Sequence, residues 1–208
     1  NLTFGDGTGA ATTTATGSGA ITVYEILTVA ANQTLAAGAK TYILTSTGSP
    51  LVNSGTFSAG TSTVQFNPAG GYTVPPLTYY NLTLLKSFAG GTVIADAGSI
   101  TVNNDLLIGN SVVSTAVDLN TNDPMLDVNG NVTISTNATL TASNSAAFTI
   151  GGNYANNGTF THGGGATAVT FDATDSGNTL SGTLNGASQF RNLVFNGSGG
   201  SWTFQSDL

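Results

Sequence analysis

The hexapeptide LDVNGN, residues 126–131, is preceded by ITVNND at 100–105 and followed by FTIGGN at 148–153. All three run apolar, Thr or Asp, Val or Ile, and then three residues drawn from Asn, Gly and Asp. Their starts fall at Ile100, Leu126 and Phe148, a step of 26 and then one of 22. A period of this size marks an architecture in which one unit cannot bury its apolar side alone and must stack on the next.

From Leu126 onward the apolar or small residues Leu126, Val128, Gly130, Val132, Ile134, Ala138, Leu140 and Ala142 alternate with Asp127, Asn129, Asn131, Thr133, Ser135, Asn137, Thr139 and Thr141. Period two is the pattern of half-buried strands. Phe148, Ile150, Gly152, Tyr154, Gly158 and Phe160 continue it in the next unit. Asn-Gly pairs at Asn129, Asn157, Asn185 and Asn196 supply corner residues that tolerate positive φ. No window carries helical periodicity. A unit of roughly 22 to roughly 26 residues, made of three short strands, is one coil of a parallel β-solenoid. About nine coils at a spacing of about 4.8 Å would form a rod about 40 Å long. The competing architecture is a set of antiparallel β-sandwich domains, because patterning alone does not say which strands pair.

A longer repeat is also present. ITVYEILTVAANQTLAAG, from Ile21, lies over LDVNGNVTISTNATLTAS, from Leu126, without a gap, at an offset of 105 residues. NSGTF (53–57) pairs with NNGTF (156–160), and NLTF at Asn1 recurs as NLTL at Asn81 and NLVF at Asn192. These matches suggest one repetitive domain over 1–208, with supra-repeats at about 21–84 and 126–195 and an extra coil at 100–125. The Thr-rich stretch 5–20 is expected to be an insertion loop or a poorly ordered strand.

Composition narrows the function classes. The 35 Thr, 19 Ser, 21 Asn and 28 Gly make up about half of the 208 residues, and only 6% are charged. Yet 39% are hydrophobic, enough to bury a core. Three basic residues against ten acidic ones leave a net charge of -7 and no means of neutralising a run of phosphates, so no nucleic-acid partner is expected. No apolar run reaches the length of a membrane-spanning helix. Cysteine is absent, which fits a secreted or surface protein.

NLTL, SITVNNDLLI, LDVNGNVTIS, NNGTFTHGGGATAVTF and FRNLVF together resemble the β-strand-repeat stretches of large bacterial surface and secreted proteins, including autotransporter-passenger and filamentous-adhesin-like β-helices. The resemblance covers nearly the whole chain. It implies a right-handed parallel β-helix at the cell surface, used as stalk, adhesin or fibre, and it transfers no catalytic or ligand residue.

Site candidates follow from residue chemistry. Asp118, Asn120, Asn122 and Asp123 place oxygen ligands in the manner of a calcium loop, although Asp123 and Asn129 stand where an EF-hand would need Gly and Glu. The alternative is a loop punctuated by Pro124 whose side chains cap free backbone groups. Asp123 with Asp127, and Asp172 with Asp175, are the carboxylate pairs available for acid and base chemistry on a polysaccharide. His162 is the only imidazole, so no multi-histidine metal site can form. Tyr79, Tyr80 and Trp202 can stack on sugars or fill the core. Seven N-x-S/T sequons occur; Asn32, Asn131, Asn137 and Asn157 fall on the polar phase and are the glycosylation candidates. Thr-x-Thr pairs at 45/47, 61/63, 139/141 and 159/161 do not recur at the coil period, which argues against an ice-binding array.

The resulting expectation is a non-catalytic, extracellular structural or adhesive segment with no cofactor other than the calcium candidate. The alternative is a carbohydrate-active or carbohydrate-binding β-helix acting on extracellular polysaccharide. Neither end reads as a solenoid cap, so the expected partners are neighbouring solenoid segments or copies stacked end to end, together with cell-surface glycans.

Overall fold

A computed structural model describes residues 1–165 and 167–207. Among the described residues the chain is all-β apart from one 3-10 turn at Gly186–Ser188, and every strand pairing is parallel. That pairing selects the solenoid over the sandwich. No helix among the described residues is long and apolar enough to cross a membrane.

The first three coils hold β1 (Leu2–Phe4), β2 (Ala11–Thr14) and β3 (Ser18–Val23); β4 (Leu27–Val29), β5 (Gln33–Ala36) and β6 (Ala39–Leu44); and β7 (Leu51–Asn53), β8 (Thr56–Ser58) and β9 (Thr63–Phe66). The next three hold β10 (Tyr72–Val74), β11 (Thr78–Tyr79) and β12 (Asn81–Leu84); β13 (Val93–Ala95), β14 (Ser99–Val102) and β15 (Leu106–Ile108); and β16 (Thr115–Asp118), β17 (Met125–Val128) and β18 (Val132–Ile134). Last come β19 (Ala138–Thr141), β20 (Phe148–Ile150) and β21 (Tyr154–Asn156); β22 (Thr159–Thr161), β23 (Val169–Phe171) and β24 (Asn178–Gly182); and, after the 3-10 turn, β25 (Leu193–Phe195) and β26 (Trp202–Phe204). The last strand of every coil stacks into one nine-stranded sheet that runs the length of the molecule from β3 to β26. At about 4.8 Å per step that sheet is about 38 Å long.

Register confirms the short repeat residue by residue. Ile100 pairs with Leu126, and Leu126 with Phe148, so the two steps between the hexapeptides are coil lengths and residues 100–125 make one full turn. The long-range matches superpose strands that sit on different faces: Ile21 is in the nine-stranded sheet, whereas Leu126 lies in the sheet of β11, β14, β17, β20, β23 and β25. Likewise NLTF, NLTL and NLVF fall on β1, β12 and β25, in three different sheets. What those matches share is local corner chemistry. Asn32 and Asn137, aligned by the long-range match, both have positive φ (62° and 64°). Each also donates its amide to a carbonyl one coil back, on Gly7 and Ser111, at 3.2 Å.

Two expectations change. Residues 5–20 contain β2 and the start of β3; β2 pairs with β5 over four residues, and all four of its residues are exposed. Gly130, Gly158 and Gly197 do not have positive φ. They are required because a Cβ there would lie 2.3 Å from the Asn104 carbonyl oxygen, 2.3 Å from that of Ala138 and 1.8 Å from that of Ala173, where neighbouring coils press together.

Inward residues form columns: Tyr42, Val64, Leu82, Leu106, Val132, Tyr154 and Leu180 on one face, and Ile100, Leu126, Phe148 and Val169 on another, all buried. Removing a Leu side chain from such a column costs about 2 to 5 kcal/mol. Between the third and fourth coils the packing has a seam. The sheets ending at β7 and β8 do not pair with those beginning at β10 and β11; the nine-stranded sheet is continuous there, with one Gly48–Tyr72 bridge beside it. Pro75 and Pro76, which donate no backbone hydrogen bond, lie on this stretch. Among the described residues, three of the five buried side-chain polar atoms without a partner, Asn53 Oδ1, Ser62 Oγ and Asn67 Oδ1, belong to the third coil and its exit.

Candidate functional site

The outer surface of the nine-stranded sheet carries a polar ladder. Register places Thr41, Thr63, Asn81, Asp105, Asn131, Asn153, Thr179 and Thr203 in one outward column, each one coil from the next. Hydrogen bonds join six of them without a break. The Asn81 amide donates to Thr63 Oγ1 at 3.2 Å, and the Asp105 backbone N–H donates to Asn81 Oδ1 at 3.3 Å. Asp105 Oδ1 accepts the Asn131 backbone N–H at 3.0 Å and its amide at 2.8 Å. Asn131 Oδ1 in turn accepts the Asn153 N–H at 2.9 Å and its amide at 2.8 Å. Asn153 Oδ1 accepts the N–H of Thr179 at 2.8 Å and its hydroxyl at 2.9 Å. Asn104 sits beside the column and donates to Asn81 Oδ1 at 2.8 Å and Asp105 Oδ2 at 3.3 Å. Asn and Thr suit such a column because each carries a short donor and acceptor, while stacked like charges would repel. Three outward columns hold one carboxylate apiece: Asp105 in this ladder, Asp118 in Ile94–Asp118–Thr141–Thr161, and Asp127 in Thr78–Thr101–Asp127–Thr149–Thr170.

Alongside runs a second outward column, Ile43, Gln65, Thr83, Leu107, Thr133, Ala155 and Ser181. Between the two columns lies an open groove of about 520 Å³ that extends from Thr63 to Asn153. Its walls combine the ladder amides, the Thr83 and Thr133 hydroxyls and the half-exposed Leu107 side chain.

Apart from Asn131, the residues singled out by chemistry lie outside the groove. Asp118 Oδ1 accepts the N–H groups of Asn120 (2.6 Å) and Thr121 (3.2 Å), and its Oδ2 accepts the Thr121 hydroxyl at 2.6 Å. Asn122 donates to the Ala95 carbonyl on the preceding coil at 3.0 Å. Asp123 has positive φ (52°) and reaches forward one coil, accepting from the N–H groups of Asn144 and Ser145 and from the Ser145 hydroxyl at 2.6 Å. The Ser145 hydroxyl first, with help from the two N–H groups, holds the Asp123 carboxyl below its ordinary range against the opposing effect of desolvation. Both carboxylates of the calcium candidate are therefore engaged on backbone and hydroxyl donors. Among the described residues no three His, Asp or Glu side chains gather as a metal site.

Asp127 accepts the Thr149 hydroxyl, and Asp175 accepts the Asn178 amide at 3.1 Å. Desolvation, and then the negative charge of Asp127 on an earlier coil, push the Asp172 carboxyl up. His162 Nδ1 meets the Gly163 carbonyl at 2.8 Å. Tyr79 is a core residue, fully buried with its hydroxyl donating to Pro75 O at 2.9 Å, whereas Trp202 is half-buried and packs against the core on Phe171 and Phe195. Of the sequons, Asn32, Asn137 and Asn157 are exposed, and Asn131 is a half-buried member of the ladder. The Thr-x-Thr pairs 139/141 and 159/161 do stack, residue on residue, across two coils. Lys86 is buried and donates to the Gly90 and Gly91 carbonyls at 2.6 Å each; burial lowers its pKa.

The ladder residues Asn81, Asn104, Asp105 and Asn153 are absent from the candidates that sequence chemistry suggested. Their signal was in view: Asp105, Asn131 and Asn153 are the last letters of the three hexapeptides 100–105, 126–131 and 148–153. No protein-family profile, curated protein or solved structure matches this chain.

Proposed function

We propose that this chain is a length-giving segment of an extracellular structural or adhesive protein, a rod whose work is rigidity and display. The observation that supports this most is the nine-stranded sheet, unbroken from β3 to β26 and stapled on its outside by the ladder. Each added coil lengthens such a rod by about 4.8 Å and buries another layer of core, so length and stiffness grow together. The low charge follows from the same stacking, since like positions face one another at every step.

The chain has no cysteine, so a pair of labels can be placed at will. Ile43→Cys and Ser181→Cys put spin labels in one outward column, six coils apart. The expected result is a narrow distance distribution centred at about 29 Å, six steps of the interstrand spacing. A broad or much shorter distribution would remove the rod. Incubation with extracellular polysaccharides is expected to generate no new reducing ends; their appearance would replace this reading with a catalytic one.

A further inference from the structure

We propose that the groove on the outer face of the nine-stranded sheet is a docking track for an uncharged polysaccharide lying along the solenoid axis. This goes beyond the rod: length and stiffness need no ligand.

The argument begins with the hydrogen bonds the ladder leaves over. Each Asn amide has two N–H groups. Asn81, Asn131 and Asn153 each spend one within the ladder, on Thr63, Asp105 and Asn131 respectively, and keep the other. Among the described residues, the Thr83 and Thr133 hydroxyls have no partner within the chain, and both line the groove. The ladder bonds hold the amides in fixed rotamers, so these donors are ordered before any ligand arrives.

Between Thr83 and Thr133 in the neighbouring column stands Leu107, 36% exposed. The groove thus offers hydroxyls and amide donors at coil spacing on either side of an apolar patch. A neutral sugar chain has the complementary surface, hydroxyl edges around apolar C–H faces.

Charge narrows the class. Among the described residues Asp105 is the only ionisable side chain in the groove wall, and its carboxylate already accepts the backbone N–H and one amide N–H of Asn131 and the Asn104 amide. The groove therefore has no cation with which to hold an acidic polymer, and the chain's net charge of -7 opposes one. A protein partner is disfavoured by the same geometry. The groove lies on a sheet face and not at an edge, so strand addition has no free backbone to use, and no aromatic or Arg anchor among the described residues lines it.

Native gel electrophoresis with hydroxyethylcellulose, xyloglucan or dextran cast into the gel tests this directly, with polygalacturonate as the acidic arm. The unmodified chain is expected to be retarded by at least one neutral polymer. The double variant Thr83→Val with Thr133→Val keeps shape and β-branching while removing both free hydroxyls, and is expected to weaken the retardation by about tenfold. Thr139→Val with Thr159→Val makes the same chemical change on a neighbouring face and is expected to leave it intact. No retardation in any neutral polymer, an equal loss in the control pair, or stronger retardation by polygalacturonate would each overturn the proposal. The spin-label distance is unaffected by all of these outcomes, so the track and the rod can fail separately.

Discussion

Asp105 Oδ1 accepts two hydrogen bonds from Asn131 one coil away, the backbone N–H at 3.0 Å and the side-chain amide at 2.8 Å. Asn131 then repeats the arrangement as acceptor for Asn153. The ladder is directional, and each member orients the next.

Breaking it at its centre tests its contribution. Asn131→Ala removes both side-chain roles at a half-buried position, and at about 1 kcal/mol per net hydrogen bond should cost about 1 to 3 kcal/mol. That corresponds to a fall in Tm of several degrees for a chain of this size. Asn131→Asp keeps the shape but sets a carboxylate against Asp105. Its thermal unfolding should show a larger loss at pH 7 than at pH 3. Equal losses at the two pH values would mean the ladder is not electrostatically tuned.

Two buried tyrosines predict opposite responses to loss of a hydroxyl. Tyr72 donates to Leu85 O at 2.9 Å, whereas the buried Tyr154 hydroxyl has no partner. Burial pushes the pKa of both well up. Tyr72→Phe should lower stability by about 1 kcal/mol, while Tyr154→Phe should leave it unchanged or raise it. Urea midpoints for the two variants decide the matter, and a comparable loss at Tyr154 would contradict the structure.

The seam between the third and fourth coils should open before the rest. Strands β7 and β8 have a partner on one side only, whereas β17 and β18 are paired on both. Hydrogen exchange followed by mass spectrometry should therefore show residues 51–61 losing protection well before 125–134. Uniform protection along the chain would show that side-chain packing alone closes the seam.

Two aspartates set the acid response, with opposite signs. The Asp123 carboxyl is held below its ordinary value of 3.8 by Ser145 and Asn144, so it stabilises the fold above that pH, and the contribution disappears as pH falls through the depressed value. Asp123→Asn, which keeps a residue that tolerates positive φ, should lower Tm at pH 7 and make less difference near pH 2. Asp172 is raised above 3.8 by desolvation and Asp127, so its charge opposes folding above the raised value, and the penalty is gone below 3.8. Asp172→Asn should raise Tm slightly at pH 7 and leave it unchanged near pH 3. Reversal of either sign in calorimetry would contradict the assigned contacts.

Much of this was legible one strand at a time. The alternation from Leu126 marked the inner face, and Val128, Val132, Ile134 and Leu140 are all buried. Asn129-Gly130 and Asn157-Gly158 marked corners correctly but for a different reason, because those glycines admit a neighbouring carbonyl and do not supply positive φ. The match of Asn32 to Asn137 found a shared turn on two different faces. The carboxylate pairs were chosen by nearness in sequence, and a relation between coils, the charge of Asp127 acting on Asp172, was not among them.

Sequence alone determined that the chain is all-β and repeats at coil length, because strand period, corner residues and repeat length are local, whereas the parallel pairing that makes it a solenoid and not a sandwich was decided by the tertiary structure. Sequence also determined the low charge that stacking demands. Only the tertiary structure decided which polar residues act together. Asn81, Asp105, Asn131 and Asn153 become one ladder beside one groove because coils of unequal length still bring them to one column. Corner loops absorb the difference in length, and the register of the strands on either side is set by the buried columns they share.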